Sequence, residues 1–128
     1  MQATPLSFGP TALTTTTTTN LLNGNITSLS GPVGITLQQP FIKINRIRIV
    51  NKTSSAATFS LWKGATGANA AGTEIVGQGT SVAANSYVDI WGPFYFKVAD
   101  FLVGGSGTAT ALTIEAVGEI CFVAPVST

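Results

Sequence analysis

Histidine is absent from this chain, and cysteine occurs once. Without an imidazole there is no commonest general base, no usual Ser-His-Asp arrangement and little chance of a zinc site. One thiol, Cys121, excludes an intramolecular disulfide framework. A nucleophilic cysteine needs an activating partner; Cys121 lies between Ile120 and Phe122 and reads as a small buried or half-buried residue. Charge is equally scarce. Six basic and five acidic residues leave a net charge of +1, and 9% of residues are charged against about 25% in an ordinary soluble domain. So neutral a chain is not suited to covering a run of phosphates, so nucleic acid is not expected as a partner. No apolar run reaches the roughly 18 residues of a membrane helix, so no membrane partner is expected. Met1-Gln2-Ala3-Thr4-Pro5 has neither a basic segment nor an apolar one behind it. No secretory signal is therefore expected, and synthesis in a cytoplasm is. The sequons Asn25-Ile26-Thr27 and Asn51-Lys52-Thr53 then read as chance.

Catalytic equipment is also thin. The acids are Glu74, Asp89, Asp100, Glu115 and Glu119. Glu115 and Glu119 share a face of one strand but stand about 13 Å apart at strand rise. Glycosidase pairs need about 5 Å, or up to about 9.5 Å. No phosphate-cradling GxxxxGK[ST] or GxGxxG pattern occurs. The chain is expected to be no enzyme and to hold no cofactor or metal.

What is present is strand and turn. Phe41 to Val50 reads as an apolar strand, Asn51 to Ser55 as a polar turn, and Ala56 to Trp62 as a second strand making a central hairpin. In a straight strand Ile42 and Ile44 would share a face with Arg46 and Arg48, opposite Ile47 and Ile49. A bulge near Asn45, inserting one residue, brings all four isoleucines onto one face. The alternative is a strand buried on both sides. Further strands are expected at Thr11 to Leu22, Ile35 to Leu37, Thr73 to Val76, Thr80 to Ala83, Ser86 to Trp91 and Phe94 to Lys97. The six threonines Thr14 to Thr19 favour a polar strand over a helix, and a single unrepeated run does not make an ice-binding surface. Asn23-Gly24-Asn25 and Gly31-Pro32-Val33-Gly34 mark turns, and Lys63 to Gly72 a surface loop. Val98 to Leu102 suggests a helical turn. In the last strand Leu112, Ile114, Ala116, Ile120 and Phe122 share one face, Thr113, Glu115 and Glu119 the other. Gly118 within it marks a bend or another backbone close by.

About eight short strands with Gly, Pro and Asn turns predict an all-β antiparallel sandwich or jelly roll over residues 14–128. Residues 1–13, with Pro5 and Pro10, predict an N-terminal arm whose Leu6 and Phe8 dock on a neighbour, or else a loose tail. A surface this poor in charge, with a mean hydropathy of +0.40, tends to associate, so the chain is expected to be a subunit of something larger. Arg46, Arg48 and Lys52 are either a solvated basic face or a patch for an acidic partner. Trp62, Trp91, Tyr87 and Tyr95 read as core or interface anchors, or as a sugar-stacking platform.

The strings TTTTTNLL (Thr15 to Leu22), RIRIVNKTSSAATFSLWKGATGANAAGTE (Arg46 to Glu74), SVAANSYVDIWG (Ser81 to Gly92) and VADFLVGG (Val98 to Gly105) resemble small all-β proteins of tailed-phage virions. In size and all-β character the chain is most similar to the capsid decoration or cement proteins. The resemblance implies a jelly-roll-like sandwich, assembled as a dimer or trimer on the capsid exterior, that bridges major capsid protein subunits. It transfers no functional residue, because that class has no fixed motif. Leu6, Phe8, Arg46, Arg48, Lys52, Trp62 and Trp91 are the expected capsid or oligomer contacts. A carbohydrate-binding virion or fibre module, and a tail or neck subunit, are the alternatives.

Overall fold

β-Branched and aromatic residues at alternating positions, punctuated by Gly, Pro and Asn, favour pleated strands over helix. The computed structural model describes residues 2–16, 20–22, 38–64, 72–97 and 100–123, and among them all regular structure is β. Seven strands follow one another: β1 (Gln2–Ala12), β2 (Gln38–Asn51), β3 (Ala57–Gly64), β4 (Thr73–Val82), β5 (Ser86–Lys97), β6 (Phe101–Ser106) and β7 (Leu112–Val123). They form two antiparallel sheets, ordered β1-β7-β2-β5 and β4-β3-β6. Beyond β6, Asn20 makes an antiparallel bridge to Val103. The Asn20 segment thus occupies the place of an eighth strand. The pairs nest: β1 with β7, the Asn20 segment with β6, β2 with β5, β3 with β4. A long hairpin rolled so that successive pairs fall in alternate sheets is the jelly-roll arrangement.

The core lies between the sheets. Ile42, Ile44, Ile47 and Ile49 of β2 and Leu112, Ile114 and Ala116 of β7 meet Phe59, Leu61, Val82 and Leu102 of the other sheet. The four isoleucines reach one face because the register of β2 shifts between Ile44 and Arg46 against both neighbours, leaving Asn45 as the extra residue. That is the bulge the alternation requires. In β5 the partners jump from Phe94 to Trp91 at the same level, so Gly92 and Pro93 are skipped as well. In β7, Gly118 faces the bulge, and a Cβ there would run into the Lys43 carbonyl. Gly118 marks the close approach of another backbone.

Asn51 ends β2 fully buried and turns the chain into the opposite sheet. Its amide nitrogen donates to the carbonyls of Ser55 (2.9 Å) and Val82 (3.0 Å). Its oxygen accepts from the Thr53 amide (2.9 Å) and hydroxyl (2.7 Å). Asn85 of the β4–β5 turn donates to the Thr53 carbonyl, tying two corners together. The central hairpin is therefore corrected. β2 and β3 face each other across the core in different sheets, joined by an arch.

Other expectations change too. Residues 1–13 are not a free arm: Gln2–Ala12 pairs with β7 along its length, and Phe8 and Leu13 are buried in the core. Pro5 and Pro10 are compatible with this because β1 is an edge strand, where a missing N–H costs no ladder bond. Thr73–Val82 is one strand with irregular pairing to β3, not two. Ser86–Lys97 is also one strand, broken only by the bulge. Phe101 and Leu102 open β6 rather than closing a helical turn. Thr11 and Ala12 finish β1, and Lys63 and Gly64 finish β3. Thr17 to Thr19, Ile35 to Leu37, 65–71 and 98–99 lie outside the described residues.

Two outcomes check this arrangement. Gly118→Ala should lower stability by about 1–3 kcal/mol in urea unfolding, since the added methyl displaces a strand. Removing residues 2–12 should abolish the cooperative thermal transition followed by near-ultraviolet dichroism, because it empties the Phe8 site and strips β7.

Candidate interaction face

Every second residue of the β1-β7-β2-β5 sheet points away from the core, and the register sets these residues in rows. Asp89, Arg48 and Glu115 stand side by side; so do Trp91, Arg46 and Val117, and, past the bulge, Tyr95, Lys43 and Glu119. Tyr87 lies beside Val50 at one end, Phe41 beside Cys121 at the other. The rings along β5 are open: Tyr87 is 55%, Trp91 70% and Tyr95 51% exposed. Val88 and Ile90, between them, pack against the core.

The two arginines hold this face differently. Arg48 makes a fork to Asp89, with Nε 2.7 Å from Oδ1 and Nη2 2.9 Å from Oδ2. Bidentate pairing of this kind fixes the guanidinium plane. Its cation lies 4.4 Å from the Tyr87 ring centroid, so the ring's negative face is also used. The fork holds the Asp89 carboxyl below its usual range and pushes Arg48 up. Arg46 is less satisfied. Its Nη2 is 3.6 Å from Glu115, beyond good hydrogen-bonding distance, and its buried Nε has no partner. Its cation sits 6.0 Å from the Trp91 ring centroid.

The expected contact residues therefore separate. Arg46, Arg48 and Trp91 come together on this face, joined by Tyr87, Tyr95 and Asp89. Lys52 is exposed in the arch beyond the end of β2, so the basic patch of three does not form as a free cluster. Leu6 is partly buried against the core and Phe8 lies within it, so neither is carried on a reaching arm. Trp62 is also withdrawn: it is buried, its Nε1 has no partner, and Gly72 lies so close that a Cβ there would strike the ring. The pairing of Arg48 with Asp89 was not visible in sequence. Parity gives a residue's face, but not which strand lies beside it.

Beside Tyr95 a cleft of about 260 Å³ opens between β4 and β5, over Ile75, Phe94 and Phe96. The Lys63 ammonium spans it, donating to the Tyr95 carbonyl at 3.0 Å. Cys121 is buried, and its thiol is pushed up first by burial and then by the Glu119 carboxylate. Asp100 accepts a hydrogen bond from the Lys97 amide, and Glu74 is exposed. Among the described residues no three or more acidic or cysteine side chains gather as metal ligands. No protein-family model matches the chain, and no curated protein is similar to it in sequence.

The Arg48–Asp89 pair gives a pH test. Asp89 titrates lower in the folded chain than in the unfolded one, so its contribution is present above about pH 4 and is lost as pH falls through the folded value. Asp89→Asn should therefore be less stable than the parent at neutral pH. The gap should close on acidification below about pH 4, read as urea midpoints across a pH series.

Proposed function

We propose that this chain is a non-catalytic structural protein of a bacteriophage virion, which decorates the capsid exterior and bridges major capsid protein subunits. One observation carries the reading: Tyr87, Trp91 and Tyr95 stand half or more exposed on one rigid sheet face, beside arginines already neutralised by acids. Trp, Tyr and Arg are the residues most enriched where protein surfaces bind tightly. Pre-paired arginines reduce the desolvation cost of docking, and the forked Arg48 also needs little ordering. A sandwich with strands locked at a shared bulge makes a stiff body, which suits a bridge between shell subunits. Several copies attached at once gain avidity without any single strong contact. The phage assignment itself rests on the resemblance of the Arg46 to Glu74 and Ser81 to Gly92 segments.

Carbohydrate binding by a virion or fibre module is the second reading, and the same rings favour it. Tyr87 and Trp91 offer exposed rings on which a sugar could stack, with Asp89, Glu115 and Arg46 nearby for hydroxyls.

Co-sedimentation with heads assembled from the major capsid protein of the same genome separates the two. Trp91→Ala and Tyr87→Ala should keep the parent's far-ultraviolet β-sheet dichroism and lose most of the bound fraction. Undiminished binding by both variants overturns docking through this face. Failure of the parent to bind heads, together with tryptophan quenching by glycans, replaces the decoration reading with the second one.

A further inference from the structure

A sandwich has strand edges, and an edge with free N–H and C=O groups is a template for another strand. Among the described residues, three of the four sheet edges are blunted. On β1, Pro5 and Pro10 remove donors, and the register breaks between Phe8 and Thr11. On β4, pairing to β3 shifts twice, and the Thr80 hydroxyl takes up the Gly77 carbonyl. Beside β6 lie Thr14 and Asn20 to Leu22: Leu21 N–H donates to Leu102, Ser106 N–H to Thr14, and Leu102 N–H to the Asn20 side chain.

Among the described residues, the β5 edge is blunted over half its length only. Pro93 removes a donor, Lys63 covers the Tyr95 carbonyl, and Asp100 takes the Lys97 N–H. From Ser86 to Trp91 the strand is regular, pairs with β2 on one side, and carries neither proline nor lysine. That stretch bears Tyr87 and Trp91, the two most exposed large hydrophobic side chains among the described residues.

We propose that two copies of this chain join here, Ser86 to Trp91 of one pairing antiparallel with the same stretch of the other. The two-fold axis passes at Asp89, and the β1-β7-β2-β5 sheets of both copies become one continuous sheet. This register sets Tyr87 of each copy opposite Trp91 of the other. Directly opposed aromatics at this spacing attract, so one side chain of each kind completes the contact twice, as a two-fold interface demands. Asp89 meets its own mate on the axis. That contact is tolerable because the Arg48 fork neutralises each carboxylate and draws it toward β2. Shifting the register by two residues in either direction sets Tyr87 or Trp91 against a non-aromatic residue and loses these pairs.

The purified chain alone tests this, without capsids, so its failure is separate from failure of the decoration reading. Light scattering over a wide dilution series should give a dimer for the parent. Trp91→Ala, at an exposed site, should raise the dimer dissociation constant by at least about thirtyfold. In Asp89→Cys, mild oxidation should link two chains, since directly opposed strand residues stand about 4.5–5.5 Å apart, within disulfide reach. The parent, whose thiol is buried, should not link. A monomer at every concentration, a trimer or larger ring, or a dimer that neither weakens in Trp91→Ala nor links through Asp89→Cys each overturns the proposal.

Discussion

The one-residue bulge at Asn45 is the constraint on which the rest of the structure depends. A regular β2 would turn either Ile42 and Ile44 or Ile47 and Ile49 out of the core, because side chains alternate without exception along a pleated strand. The extra residue puts all four inside, and it puts Arg46 and Arg48 on the outer face with Lys43. Its neighbours adjust to it. β5 skips Gly92 and Pro93 at that level, and β7 presents Gly118, the residue with no side chain to strike the displaced backbone. One local irregularity thus sets the register of three strands and the composition of both faces.

The low charge of the chain acquires a physical meaning on that outer face. Arg46, Arg48 and Lys43 share it with Asp89, Glu115 and Glu119, so positive and negative groups balance over the face as a whole. The rings along β5 sit at the margin of this balanced patch rather than in a charged field. Association there is governed by shape and aromatic contact more than by long-range attraction, and salt alters it little.

Alternation, turn chemistry and the missing helix periodicity made the sheet class, the Asn45 bulge, the inward face of β7 and the role of Gly118 legible in the sequence. Those features are local, written within a few residues. Sheet membership was not legible. Nothing between Val50 and Ala57 distinguishes a hairpin from an arch; the difference lies in the Val82 carbonyl, 31 residues away, which the Asn51 side chain reaches. Pro5 and Pro10 suggested a free arm because proline forbids a central strand, yet it is tolerated at an edge. Trp62 and Trp91 look alike in sequence, but Gly72 packs against one while no described residue buries the other on the outer face of β5. Of the candidate face, the aromatic residues were visible; the acid partners that fix the arginines were not, since they come from strands far along the chain.

Nesting has a further consequence for the geometry of the chain ends. Gln2 stands opposite Phe122, so the first and last strands of the sandwich start and finish side by side. They do so on the flank farthest from β5, and at the end of the strands where Phe41 meets Lys97 rather than where Asn51 meets Ser86. The start of β1 and the finish of β7 therefore share one corner of the sandwich, diagonally opposite the open half of β5. The sandwich is thereby polar across its diagonal: paired strand ends stand at one corner and the exposed rings of Tyr87 and Trp91 at the other.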